Sequence, residues 1–244
     1  MHKIKEYMKR IALFIVAICL LTVAGCGGQT APVVQNEETD GQGRGISALV
    51  CEGTNDTILI YLTMPYDGSD PDTLNVLKAS KNHRVFGQPN VGDNVIVVRS
   101  EQDSTVADVV IVTEDLMGRW GYEAFPTLRL QAGMPADTSL LPDTIKQLLQ
   151  VAREYSIDFK KDHSMLAFGG GRRAMAEESP VEYPAMKRYT EWRIVDDRLL
   201  LYVSAVDSTG ETNVVGVDTA RLVTLLSDTL VLDINGEKQG FGKK

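Results

Sequence analysis

From Ile46 onward the chain is written in short apolar runs separated by turn clusters. Ile46 to Val50, Thr57 to Met64, Thr73 to Leu77, Asn94 to Arg99 and Ala107 to Thr113 are the first five. Pro65-Tyr66-Asp67-Gly68, Gly87-Gln88-Pro89-Asn90 and Gly92-Asp93-Asn94 lie between them, and such clusters are strong turn signals. Short β-branched runs at this spacing predict a small barrel or sandwich. Five strands in so short a stretch suit an OB-like five-stranded barrel over residues 46–114, with Gly92-Asp93 turning into Val95 to Val98. A fold of that kind does not by itself carry a nucleic-acid role.

A second unit is predicted over residues 115–244. Leu199, Leu201 and Val203 alternate with Leu200 and Tyr202, so both faces of that strand are apolar. Leu230, Leu232 and Ile234 share one face, and Asn235-Gly236 supplies the pair of positive-φ residues that a two-residue hairpin needs. Lys160 to His163 reads as a polar turn between Ile157-Asp158-Phe159 and Met165 to Phe168.

One stretch departs from the β rhythm. Ile145, Leu148, Leu149, Ala152 and Tyr155 follow the spacing of an amphipathic helix, and Pro142 stands where a first helical turn tolerates it. The spacing predicts a helix from Asp143 to Tyr155. It either closes one barrel mouth or packs outside, because periodicity shows a buried face and not its partner.

Several motifs in this half have a family likeness. Leu116-Met117-Gly118-Arg119-Trp120 resembles the Gly-x-Trp opening of lipocalin-like domains. Trp192 to Leu201 is similar to the Trp-x-Ile hairpin of the lipocalin-like lipoproteins common in Bacteroidota, and Leu222 to Leu232 resembles their closing hairpin. The resemblance covers residues 115–244 and implies a lipocalin-like β-barrel there; with the OB-like unit and the one inserted amphipathic helix read from spacing, the chain is predicted to be all-β. The resemblance also implies a structural role for Trp120, closing the barrel base under Lys243 or Lys244. Tyr183, Tyr189, Trp192 and Tyr202 are the candidates to line a ligand cavity, since small-ligand sites are commonly apolar with a few polar handles. Aromatic residues also dominate ordinary cores, which is the competing role for each.

The N-terminal region has its own pattern. Ile11 to Val23 is one apolar run behind Lys3, Lys5, Lys9 and Arg10, and it falls short of the ~20 residues that cross a bilayer. With the small pair Ala24-Gly25 after it, the run reads as an export signal over residues 1–25. Val23-Ala24-Gly25-Cys26 resembles a bacterial lipobox, which implies cleavage before Cys26 and acyl chains on that residue. Residues 26–45 lack any aromatic and are rich in Gly, Gln, Thr and acids, so they cannot bury enough apolar surface to offset their ordering entropy. They read as a flexible tether. Cys19 goes with the leader and Cys26 takes lipid, which leaves Cys51 alone as a small apolar strand residue without a disulfide partner.

Charge narrows the partners. The formal charge is −8, and losing the leader's four basic residues with Glu6 makes the remainder more acidic. That balance argues against nucleic acid, which wants a basic patch.

Candidate chemistry is sparse. Asp162-His163-Ser164 places three triad residue types side by side, whereas a triad needs groups converging in space, and no Gly-x-Ser-x-Gly elbow occurs. Asp67 to Asp72 offers oxygens but lacks the twelve-residue calcium-loop pattern. Gly169 to Arg173 lacks the Lys-Ser/Thr that a phosphate loop needs. Glu177-Glu178 and Asp196-Asp197 are paired only in sequence, and strand neighbours face opposite ways. No catalytic residue, metal site or cofactor is expected. The sequence therefore predicts a non-catalytic lipoprotein of the bacterial cell envelope, held at the outer membrane through Cys26, binding a small apolar or amphipathic ligand. The alternatives are a structural or interaction module of an envelope complex and, behind it, a hydrolase.

Overall fold

A computed structural model describes residues 44–129, 141–169 and 179–244. The leader, Cys26, nearly all of the tether, most of the Gly169 to Arg173 loop and Glu177-Glu178 lie outside the described residues.

The first five apolar runs form strands close to where their alternation places them. They are β1 Gly45–Val50, β2 Ile58–Thr63, β3 Asp72–Asn75, β5 Asn94–Arg99 and β6 Ala107–Val112. Between β3 and β5 lie a short helix, α1 Leu77–Lys81, and a two-residue strand, β4 Val85–Phe86. The sheet order is β3-β2-β1-β5-β6-β4, antiparallel except for β4 on β6. Asn75 returns to Val106 through a parallel bridge, and its N–H donates to the Thr105 carbonyl at 2.8 Å. That contact curls the sheet into an OB-like barrel. Val50, Leu59, Leu74, Val97 and Val110 fill it. Tyr61, fully buried, meets Asp72 and Arg99 through its hydroxyl.

β6 explains its own composition. Val110 and Val112 face the small barrel, while Val109 and Ile111 belong to the core of the second unit. A strand covered on both faces needs a near-continuous apolar run, which Ala107 to Val112 supplies.

The second sheet follows α2 Thr113–Leu116. Its strands are β7 Gly118–Ala124, β9 Arg153–Phe159, β10 Met165–Phe168, β12 Tyr189–Val195, β13 Arg198–Val206, β14 Thr212–Leu225, β15 Thr229–Ile234 and β16 Glu237–Lys243. The order β10-β9-β7-β16-β15-β14-β13-β12 is an antiparallel meander in which β16 returns to β7. The remaining seam, β10 to β12, is held by the Ser164–Glu191 bridge and by Trp192 N–H donating to the His163 carbonyl at 2.9 Å. The result is a nearly closed eight-stranded up-and-down barrel. A small ribbon of β8 Thr127–Leu128 with β11 Val181–Glu182 stands apart, and α3 Asp143–Leu149 lies beside β11.

The helix is shorter than its spacing predicts. It stops at Leu149 and buries none of its seven residues, and Tyr155 belongs to β9. Tyr155, Ile157 and Phe159 alternate into the core, and β7 offers a partner along the whole of β9, from Gly118 opposite Phe159 to Ala124 opposite Arg153. Tyr155 fits a helical period and a strand period equally well. Ring stacking on Tyr122, centroids 5.4 Å apart, goes with the strand.

The two units share one core. Phe86, Val98, Val109, Ile111 and Leu116 join Trp120, Leu199 and Leu225 in a single cluster. Arg84 pairs with Asp197 at 2.8 Å, and Gly87 N–H donates to the Leu225 carbonyl at 3.1 Å. Arg84, Phe86 and Gly87 lie in or beside β4, which is too short to leave a periodic signal.

Candidate functional site

The ends of the large barrel differ. Near α2 it is plugged: Trp120, Phe159, Met165 and Trp192 are buried, and Phe159 meets Trp192 edge-on with centroids 5.6 Å apart. At the β15–β16 hairpin end the inward positions leave a cavity of about 460 Å³, a volume in the range of small-molecule sites. Its walls are Tyr122, Ile157, Leu201, Ile234 and Phe241, one each from five strands, so alternation alone points them inward. Tyr122 is fixed between Tyr155 and Phe241, the latter edge-on at 5.2 Å.

One side of the cavity is polar. Asp218, on β14, takes the inward position that Ala220 and Leu222 take further along, and is 8% exposed. Its carboxylate accepts Lys187 Nζ at 2.6 and 2.8 Å, the Tyr189 hydroxyl at 2.7 Å and Asn235 Nδ2 at 2.9 Å. Burial alone would raise the Asp218 pKa, but the hydrogen bonds from Lys187, Tyr189 and Asn235 hold it below the usual carboxylate value. Burial, and then donation to this carboxylate, push Tyr189 well above an ordinary phenol, so its proton stays in place. Lys187 uses two of its three N–H donors on Asp218 and is half exposed, so one donor remains at the cavity rim.

Lys187 and Met186 come from the segment between β11 and β12, which crosses this mouth as irregular chain. It is fastened by side chains. Tyr183 donates to the Val151 carbonyl at 2.7 Å with the Arg153 guanidinium 3.7 Å from its ring, and Tyr155 donates to the Pro184 carbonyl at 2.9 Å.

The four aromatic candidates are therefore dispersed. Tyr189 lines the cavity, whereas Tyr183 holds the strap across its mouth. Trp192 sits in the plugged end, donating to the Lys160 carbonyl at 3.1 Å, and Tyr202 lies near Arg193, whose guanidinium carbon is 5.6 Å from its ring. Trp120 donates to the Leu116 carbonyl at 2.7 Å and carries Lys243 Nζ 4.2 Å from its ring centroid. Cys51 is partly buried, its thiol directed at the Leu49 carbonyl at 3.7 Å.

The other candidates find local partners. Ser164 donates its hydroxyl to Asp162 at 2.6 Å, while the His163 ring packs on Trp192 with centroids 5.0 Å apart. Asp67 accepts the Ser69 N–H at 2.9 Å in a local turn, and Asp197 is taken by Arg84. Among the described residues, no three or more His, Cys, Asp or Glu side chains are gathered as a metal would require. No described helix is long and apolar enough to cross a membrane.

Sequence reasoning passed over Asp218, Lys187 and Asn235. A signal existed: Asp218 is an acid at an inward position of a strand whose next two inward residues are Ala220 and Leu222. An unpaired carboxylate there would be costly, so a buried cation or donor set was to be expected.

No family model and no curated protein matches the chain. Among solved structures it is similar to a lipocalin-like protein from Bacteroides thetaiotaomicron, with 17% identity over 53% of this chain and 96% of that one and a TM-score of 0.28.

Proposed function

We propose that this protein is a non-catalytic lipoprotein of the bacterial cell envelope. It is anchored at the outer membrane through acyl chains on Cys26 and binds a small apolar or amphipathic molecule in its lipocalin-like barrel. The observation that carries the binding role is the mouth cavity, in which an apolar wall formed by Tyr122, Ile157, Leu201 and Phe241 faces the Asp218, Lys187, Tyr189 and Asn235 cluster. A tail would lie on the apolar side and a polar head at the rim. The anchor rests on the leader sequence, and two or more acyl chains make such attachment stable.

Native mass spectrometry of the folded protein from its own host tests the binding role. A defined adduct is expected that is lost in Leu201→Trp, which fills the cavity. An adduct that persists in this variant places the ligand elsewhere, and a protein that stays free of adduct in every preparation removes the binding reading.

A second reading, an interaction module of an envelope complex, is favoured by one surface. Val206, Val214 and Val217 are about half exposed on the far part of the β13–β14 hairpin. Tyr202 and Val217 are cross-strand partners there, as are Ser204 and Val214.

A further inference from the structure

A larger cavity, about 760 Å³, opens between the two units. Its floor is apolar: Leu59, Val76, Phe86 and Val110 come from the OB-like unit and Leu225 from the end of β14, all buried. Above the floor stand Ser80 and His83 at the end of α1, Gln88 after β4, and Thr224 from the large barrel. Their side chains make no hydrogen bond to another described residue.

The charge of this cavity limits its ligand. Among the described residues no lysine or arginine lines it, so an anion brought there would be desolvated without a cation to meet it. Asp56 is the single carboxylate, and it lies exposed at the rim, where a pair with a cation is worth about 0–1 kcal/mol. The remaining polar groups are hydroxyls, an imidazole and the amides of Asn55 and Gln88, each able to donate and accept, and Asn55 is already bonded within its own loop. Hydroxyl groups on a ligand have the same double capacity.

We propose that this cleft is a second binding site, for an uncharged, hydroxyl-bearing amphiphile whose apolar part covers Leu59, Phe86 and Leu225 while its hydroxyls meet Ser80, His83, Gln88 and Thr224. The proposal is independent of the barrel mouth, whose wall carries the charged groups Lys187, Asp218, Glu237 and Lys238. Because both units supply walls, occupancy also clamps one unit against the other.

The test is hydrogen exchange on the full chain with three probes of equal chain length: hexyl glucoside, hexanoate and hexylamine. At about 10 mM probe, suited to millimolar affinity, hexyl glucoside is expected to slow exchange around 53–60, 79–90 and 222–228 severalfold. Neither charged probe should do so. Ser80→Trp, a substitution at an exposed wall position, should abolish the effect while leaving exchange around the barrel mouth unchanged, which shows that the variant is folded. Gln88→Trp serves the same purpose should Ser80→Trp misfold. Failure of hexyl glucoside to protect the cleft, equal protection by hexanoate or hexylamine, or protection that survives both tryptophan variants would each overturn the proposal.

Discussion

Lys243 Nζ stands 4.2 Å from the centroid of the Trp120 ring and donates to the carbonyls of Asp115 and Met117. The last strand is thereby tied to α2, the segment that joins the two units. Gly118 makes room for it: at φ +102° a Cβ there would be strained, and it would lie 3.4 Å from the lysine Nζ. Burial lowers the Lys243 pKa, yet the ring face and two carbonyls still receive its charge. A cation–π contact of this kind is worth about 0.5–2 kcal/mol. Lys243→Met is expected to lower stability by about 1–2 kcal/mol in urea unfolding, with Lys243→Arg closer to the parent. Equal losses in both variants would mean that the ring contact contributes nothing.

Asp218 gives a pH dependence with a defined sign. Its pKa in the folded protein lies below the ordinary value, so the network's contribution is complete above the unfolded pKa of about 3.9 and is lost as pH falls through the lower folded value. Asp218→Asn should cost about 2 kcal/mol near neutrality, the scale of a hydrogen bond to a charged group. The gap between variant and parent should close on acidification below about pH 4. Urea midpoints measured across that range decide it. A gap that stays constant to the lowest pH would assign the stability to shape rather than charge.

Phe86 probes whether the units unfold together. It is buried in the core they share, and truncating such a side chain to alanine costs about 3–5 kcal/mol. Phe86→Ala should lower one cooperative transition followed equally by the fluorescence of Trp120 and Trp192, both from the large barrel, and by far-ultraviolet circular dichroism. Separation into two transitions would show that the OB-like unit and the barrel are independently stable.

Gly87 is a backbone test of the same junction. Its φ is +85°, its N–H reaches the Leu225 carbonyl, and a Cβ would fall 2.8 Å from Val112 Cβ and against the Asp115 carboxylate. Gly87→Ala is expected to cost about 2 kcal/mol, since a left-handed position and a clash are combined. Calorimetry reads it directly, and an unchanged melting temperature would contradict the geometry.

Cys26 decides the anchor. Cys26→Ala should abolish incorporation of labelled palmitate and release the protein from the membrane fraction. Continued membrane retention without label would point to an uncleaved leader instead.

Much of this architecture was written in the order of residues. Period-two alternation between turn clusters located β1, β2, β3, β5 and β6, and Asn235-Gly236 marked the β15–β16 turn, with φ of 53° and 94°. These are local properties, set by which face a side chain takes and by which residues tolerate positive φ. Tertiary pairing decided the rest. Tyr155 became a strand residue because β7 offered a partner along the full length of β9. Phe86, in a two-residue strand without a pattern of its own, became a joint between units because β6 and β14 meet there. The aromatic candidates separated because inward or outward direction depends on register, and the β12 bulge at Thr190 resets it between Tyr189 and Trp192. Lys187, Asp218 and Asn235 converge from three separate stretches, and only closure of the barrel brings them within hydrogen-bonding distance.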